Sequence, residues 1–284
     1  MPELPDVVVY LEALERFVGG RRLEKARVVS FSLLRTFDPP LSEVEGRRVV
    51  GFHRIGKRLV VEIEGDLFLV FHLMIAGRFR WRKRGAPVPK RVGHAAFDFP
   101  NGTLVLTEQG TKKRASLHVH RGEKGLTIHD RGGVEPLEAD LEASARALRR
   151  ENRTLKRALT DQRILSGIGN AYSDEILHRA GLSPVTLTSR LDDGAIDQLY
   201  KATIFTLTEW VQRLRNEVGD GFPEKVTAFR PEMAVHGKYR QPCPVCGDQV
   251  RRIVNASNET NYCATCQTKG KILADRALSR LLKT

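Results

Sequence analysis

Four cysteines constrain this chain more than any other feature. Cys243-Pro-Val-Cys246 and Cys263-Ala-Thr-Cys266 form two Cys-x-x-Cys pairs separated by Gly247 to Tyr262, the spacing of two metal knuckles that face each other across a hairpin. Four thiolates fill the tetrahedral shell of one zinc ion. The expected metal is therefore structural, folding a β-hairpin and leaving no open position for water activation. The other use of four cysteines, two disulfides, belongs to an oxidising compartment. The N-terminus Met-Pro-Glu-Leu-Pro-Asp lacks the basic start and apolar core of a signal peptide, so zinc is expected, in a cytoplasmic protein. These are the only cysteines of the chain, which leaves none for nucleophilic catalysis.

At 284 residues the chain exceeds most single cores, and two or three packed units are expected. Hydrophobic residues at 41% and charged residues at 29% exclude wholesale disorder. The excess of 47 Lys+Arg over 34 Asp+Glu, a formal +13, favours a polyanionic partner, because bound Lys and Arg displace condensed counterions. Nucleic acid comes before an anionic membrane, since no apolar run approaches the roughly 20 residues that span a bilayer.

Periodicity divides the chain. Asp6 is placed to cap a first helix with Val7, Leu11, Leu14 and Val18 on one face and Gly19-Gly20 as its stop. From about residue 26 to 120 the period becomes two, in runs such as Arg48 to Phe52 and Leu59 to Ile63, and Asn101-Gly102 marks a hairpin. After residue 133 the pattern turns helical, over Leu137 to Leu148, Thr154 to Leu165, Ala171 to Ala180 and Asp192 to Val218. The expected class is α+β and multidomain. Residues 1–130 form an antiparallel β-sandwich with a leading helix, 131–235 a helical domain, and 236–284 a zinc-finger hairpin followed by a basic helix at Ala274 to Leu282.

Between two of the helical patterns, Gly167, Gly169 and Asn170 set flexible backbone before a helix start, where amides suit an anion. Such a turn is ordinarily only a turn. In a basic chain with a zinc hairpin, a phosphate clamp is the better reading.

These segments, with Pro2-Glu3-Leu4-Pro5, a lysine in Gly56-Lys57-Arg58-Leu59 and His72-Leu-Met-Ile75-Ala-Gly77, resemble the formamidopyrimidine-DNA glycosylase/endonuclease VIII family of DNA repair enzymes. Five parts in the family's order span nearly the whole chain. The resemblance implies a β-sandwich, a helix-two-turns-helix domain and a zinc finger, with damaged DNA bound between the halves. It implies a bifunctional glycosylase and AP lyase acting as a monomer, with no obligate protein partner. Pro2, freed of Met1, would attack C1′ of the damaged nucleotide, expel the base and form an iminium that acidifies the neighbouring sugar proton. Glu3 would transfer protons, and Lys57 would hold the adjacent phosphate. The nucleotide must leave the duplex to be reached. Lys156, Asn170 and His94, with His72, inherit DNA-contacting positions; an isolated histidine in a sheet is otherwise a structural residue.

The sequence also departs from the family. Asn258 stands where the family hairpin carries a phosphate-gripping arginine, and Glu259 follows it, so β-elimination is carried over and δ-elimination is not. The loop that normally presents an arginine and an aromatic wedge reads Glu108-Gln-Gly-Thr-Lys112-Lys113-Arg114, basic and without an aromatic residue. Ile75 takes the place of the companion methionine, and Asp6 that of a glutamate. Two further readings stay open: a non-catalytic DNA-damage-binding protein, and an unrelated zinc-ribbon RNA-binding protein.

Overall fold

A computed structural model describes residues 1–110, 112–255 and 258–274. It divides into two compact units, one of residues 1–130 and 211–227, the other of 131–210 and 228–284. The basic helix expected at Ala274 to Leu282 lies, beyond Ala274, outside the described residues.

The first unit opens with helix α1 (Leu4–Val18). Asp6 was expected at its N-cap; the cap is instead Glu3, and Asp6 is the third helical residue. The two carboxylates satisfy each other's backbone, Glu3 accepting from the Asp6 amide and Asp6 Oδ2 accepting from the Glu3 N–H at 3.0 Å, a reciprocal box that fixes the helix start. Val7, Tyr10, Leu14 and Val18 form its buried face.

Eight strands follow: β1 (Lys25–Val28), β2 (Val49–Ile55), β3 (Arg58–Ile63), β4 (Leu67–His72), β5 (Gly77–Arg82), β6 (Gly93–Phe99), β7 (Gly102–Glu108) and β8 (Ser116–Arg121). They make two antiparallel sheets, ordered β1-β6-β7-β5 and β2-β3-β4-β8. The hairpin expected at Asn101-Gly102 forms between β6 and β7, with Pro100 and Asn101 as its turn residues and Gly102 paired with Phe99 as the first residue of β7. Strand β4 shows why its sequence is almost uninterruptedly apolar. Leu67, Leu69 and Phe71 enter the main core, while Phe68 and Val70 point the other way and are covered, with Val60, by Leu126 of the 3-10 turn Glu123–His129. At the centre, the Phe71 ring meets Phe79 and Phe97 edge-on at 5.1 and 5.3 Å, a preferred aromatic geometry. Residues 222–226 close this unit: Phe222 packs against Tyr10, Phe17 and Trp81, and Glu224 pairs with Arg80 and Arg82 at 2.8 Å.

The second unit holds α2 (Leu141–Arg149), α3 (Leu155–Thr160), α4 (Asn170–Arg179), most of α5 (Asp193–Val218), a hairpin of β9 (Val250–Asn255) and β10 (Asn258–Cys263), and α6 (Ala264–Thr268). Helix α2 starts later than the pattern from Leu137 suggests, because Asp140 caps it by accepting from the Ala143 amide at 2.7 Å. Helix α3 ends earlier than Leu165: Asp161 turns its carboxylate onto the Arg163 amide at 3.0 Å and breaks the helical ladder. No helix among the described residues is long and apolar enough to cross a membrane.

Candidate functional site

Strand register gathers the chemistry-bearing loops of the first unit at one end of the sandwich. Val28 lies opposite Ala95, Gly93 opposite Thr107, and Gly77 opposite Glu108. The end of β1, start of β6, end of β7 and start of β5 are therefore neighbours. In the other sheet, Ile55 faces Arg58, Leu59 faces Phe71, and His72 faces Ser116. The segments His72–Gly77 and Glu108–Ser116 join the two sheets at this same end.

Lys57 sits in the two-residue turn between β2 and β3, where Gly56 supplies the positive φ of +60° that such a turn requires. It is 8% exposed, and Pro2 and Glu3 are also buried. Burial lowers the pKa of the Met1 ammonium, the largest influence on it; Glu3 and Asp6 act to raise it, Arg78 and Lys57 to lower it. The N-terminus, Glu3 and Lys57 thus share one electrostatic neighbourhood. His72 is held neutral, its pKa lowered to about 4 first by burial and then by Arg58, Lys57 and His118. Met74 adopts a left-handed φ of +53°, uncommon for such a side chain, in the turn that leaves Ile75 63% exposed.

His94, which the resemblance places among the DNA-contacting positions, is engaged within the protein. The side chain is 1% exposed, and its Nε2 meets Glu108 Oε2 at 2.8 Å. Glu108, 2% exposed, also accepts from the amides of Arg114 at 2.9 Å and Ala115 at 3.1 Å, while Lys113 donates to its carbonyl. His94 therefore braces a buried carboxylate that shapes the basic loop, and Arg114 is left exposed on that loop. Sequence reading missed Glu108, which at the head of a run of cations reads as one more surface charge.

In the second unit, Gly167 has a φ of +80° and its amide donates to Gln162 Oε1 at 2.8 Å, shaping the turn before α4. Asn170, the first residue of α4, donates from its side chain to the Glu259 carbonyl in β10 at 2.8 Å, tying helix to hairpin. Lys156 is not a solvated cation in this structure. Its Nζ donates to the Asn170 carbonyl at 2.7 Å and to Asp174 Oδ1, with 12% of its side chain exposed. Asp174 also holds His236 Nδ1 at 2.8 Å, and Glu175 accepts three successive amides, of Ala234, Val235 and His236, at 2.7 to 2.9 Å. Burial raises the pKa of Glu175, against the lowering effect of those amides. Neither carboxylate was anticipated; the only signal was an adjacent acidic pair inside an otherwise buried helix. Asn258 is exposed where β10 begins, paired with Asn255 at the turn end of the hairpin and away from the cysteines.

The four cysteine sulfurs lie within 4.8 Å of one another. Cys246 and Cys263 are 3.4 Å apart and Cys243 and Cys266 3.9 Å, too far for disulfides at about 2.05 Å. A tetrahedral ion with bonds of about 2.3 Å needs sulfurs about 3.8 Å apart, so the residues fit one zinc. His178 Nε2 approaches Cys243 Sγ at 3.2 Å and supports a ligand from outside the shell. Zinc here is a structural ion.

Three family models match in succession: the formamidopyrimidine-DNA glycosylase N-terminal domain over residues 1–116, its H2TH domain over 133–219, and a zinc finger found in FPG and IleRS over 240–269. The chain is 31% identical to the formamidopyrimidine-DNA glycosylase of Solibacter usitatus, covering 95% of this chain and 100% of that protein. It is 32% identical to that of Burkholderia thailandensis, covering 94% and 100%. Among solved structures, the Lactococcus lactis Fpg bound to an N7-benzyl-Fapy-dG containing DNA matches with a TM-score of 0.84 at 25% identity, over 94% of this chain and 100% of that one. The same protein bound to an abasic site containing DNA matches at 0.81 and 25%, over 94% and 99%. Matched from its first residues through its zinc finger, the chain belongs to the formamidopyrimidine-DNA glycosylase family.

Proposed function

We propose that this protein is a base-excision-repair DNA glycosylase with AP lyase activity, acting as a cytoplasmic monomer on damaged DNA through the amine of Pro2. Three functional parts divide the work: 1–130 for chemistry, 131–235 for gripping DNA, and 236–284 for the zinc-held hairpin. Removal of Met1 frees the Pro2 nitrogen. Its lone pair forms a bond to C1′ as the damaged base departs with the glycosidic electrons, giving an iminium after ring opening. Loss of the C2′ proton then expels the 3′ phosphate, and hydrolysis returns the amine. Glu3 moves protons at the opening sugar, and Lys57 and His72 hold the phosphate beside it. Asn170, Asn258 and the exposed Arg114 and Ile75 serve DNA binding. Lys156 positions α4 through Asp174.

The observation that carries this reading is the meeting of the buried N-terminus, Glu3 and Lys57 in one electrostatic neighbourhood, in a chain of this family. A pocket that lowers the pKa of an amine favours the neutral nucleophile. The test is borohydride trapping of Met1-processed protein on a duplex with an abasic site, beside Pro2→Gly and Lys57→Ala variants. A covalent adduct on the N-terminal peptide, lost in Pro2→Gly, is expected. Tight lesion binding with no adduct and no strand cleavage would replace the enzyme with a damage-binding protein.

A further inference from the structure

Phe31 is 99% exposed, yet its backbone is not loose. The Leu33 amide donates to the Ser30 carbonyl at 3.0 Å, closing a turn with Phe31 and Ser32 at its centre, and the Ser30 and Ser32 hydroxyls meet at 3.1 Å. On one side the turn is nailed to β6, where the Val29 and Ser30 amides both donate to the His94 carbonyl at 2.9 and 3.2 Å. On the other, Leu33 is wholly buried and its carbonyl accepts from Leu117 at 2.8 Å. A fixed turn therefore presents a bare aromatic ring to solvent.

The ring's position gives it a partner. His94, which anchors the turn through its carbonyl, holds Glu108 through its side chain, and Glu108 shapes the loop bearing Lys112, Lys113 and Arg114. The ends of β1 and β7 are two strand spacings apart, roughly 10 Å, so ring and cations share the end of the sandwich that also carries Lys57, His72 and Ile75. An aromatic face beside backbone-binding cations suits an unpaired nucleic-acid base: stacking needs no hydrogen-bond partner, and every base has a π-face. Phe37, also exposed, runs instead beside Val119 after Thr36 accepts its amide, away from this end.

We infer that Phe31 is a stacking platform for a nucleobase that has lost its place in the helix beside the lesion, with the exposed Arg114 and Lys112 on the adjoining phosphates. The inference rests on the glycosylase reading, since it requires DNA at this end of the first unit.

The test measures affinity of wild type, Phe31→Ala and Phe31→Tyr for a duplex with a tetrahydrofuran abasic site and for the same duplex undamaged. The expected result is a loss of roughly 5- to 150-fold on the lesion duplex for Phe31→Ala, near-wild-type binding for Phe31→Tyr, and undamaged-duplex affinity unchanged within about two-fold because no base there is unstacked. Full exposure of the ring makes unfolding of the variant an implausible cause, and an unchanged melting temperature checks it. Equal lesion affinity in Phe31→Ala, or an equal loss on both duplexes, overturns the platform while leaving the enzyme intact. A wild type with no preference for the lesion overturns the glycosylase reading and this one with it.

Discussion

Replacing Glu108 asks whether a buried carboxylate sets the shape of the basic loop. In Glu108→Ala three donors lose their acceptor: His94 Nε2 at 2.8 Å and the amides of Arg114 and Ala115 at 2.9 and 3.1 Å. His94 and Ala115 are each 1% exposed, so each bears a full desolvation penalty of about 1–3 kcal/mol. Arg114 is exposed, and water can serve its amide at roughly 0–1 kcal/mol. The expected destabilisation is about 2–7 kcal/mol. His94 and both amides converge on Glu108 Oε2, so Glu108→Gln with its amide oxygen at that position keeps an acceptor for all three donors. That exchange of a charged for a neutral acceptor costs about 1–2 kcal/mol. Urea unfolding followed by Trp81, which lies in the first unit, in a Trp210→Phe background measures both. Hydrogen exchange at Ala115 reports the loop directly. Losses below 1 kcal/mol for Glu108→Ala, or equal losses for the two variants, would refute the reasoning.

Two further outcomes follow from the same kind of accounting. Stripping the metal with a chelator, or Cys266→Ser, removes a site whose analogues contribute on the order of 10 kcal/mol; circular dichroism and amide exchange should report collapse of the β9–β10 hairpin while the Trp81 transition stays in place. Acid should weaken the first unit: burial holds His72 and His129 at pKa values of about 4, against about 6.5 unfolded. Below pH 6.5 the unfolded chain takes up protons the folded chain refuses, so stability is fully present above pH 6.5 and falls as pH drops toward 4. The His120 and His129 Nε2 atoms, 2.8 Å apart, add to this, since two protonated rings cannot share that contact. Chemical denaturation at pH 7 and pH 4.5 should differ by about 5 kcal/mol, and His129→Phe should shrink the difference; an unchanged difference counts against the cluster.

Local rules made much of this molecule readable. The cysteine spacing fixes a metal site whatever lies around it, Asn101-Gly102 fixes a hairpin within six residues of chain, and period-two runs fix strands because one face of each is buried. What sequence could not supply depends on partners far along the chain. Glu224 belongs to the first unit because it answers Arg80 and Arg82 across more than 140 residues. Helix α3 stops at Asp161 because a side chain competes for an amide, which helical periodicity cannot register. Buried carboxylates were the main omission in the site. Glu108, Asp174 and Glu175 each read as surface charge in a basic chain, and only packing shows that they organise loops. The same blindness hid the ion pair that Asp174 makes with Lys156, and it left Phe31 unnoticed.

The hairpin allows a substitution to be judged before it is made. In the β9–β10 register Asn258 pairs with Asn255 and Glu259 with Val254, and successive strand residues face opposite ways. Glu259 binds Arg252 at 3.0 Å and the Asn261 side chain at 2.8 Å, while the Arg252 guanidinium also lies 4.2 Å over the Tyr239 ring. Arg252 is thus committed and does not replace a missing cation. The same geometry turns Glu259 away from the face that Asn258 occupies, so an arginine at 258 would escape neutralisation by its neighbour. Asn258→Arg should add one phosphate contact, steepening the dependence of log affinity on log salt by about 0.9 for an abasic duplex. If Asn258 is what limits the second elimination, the variant should also release more δ-product than the natural chain. A slope unchanged within error would mean that the charge at 258 is neutralised or never reaches DNA, and the face assignment drawn from the strand register would be wrong.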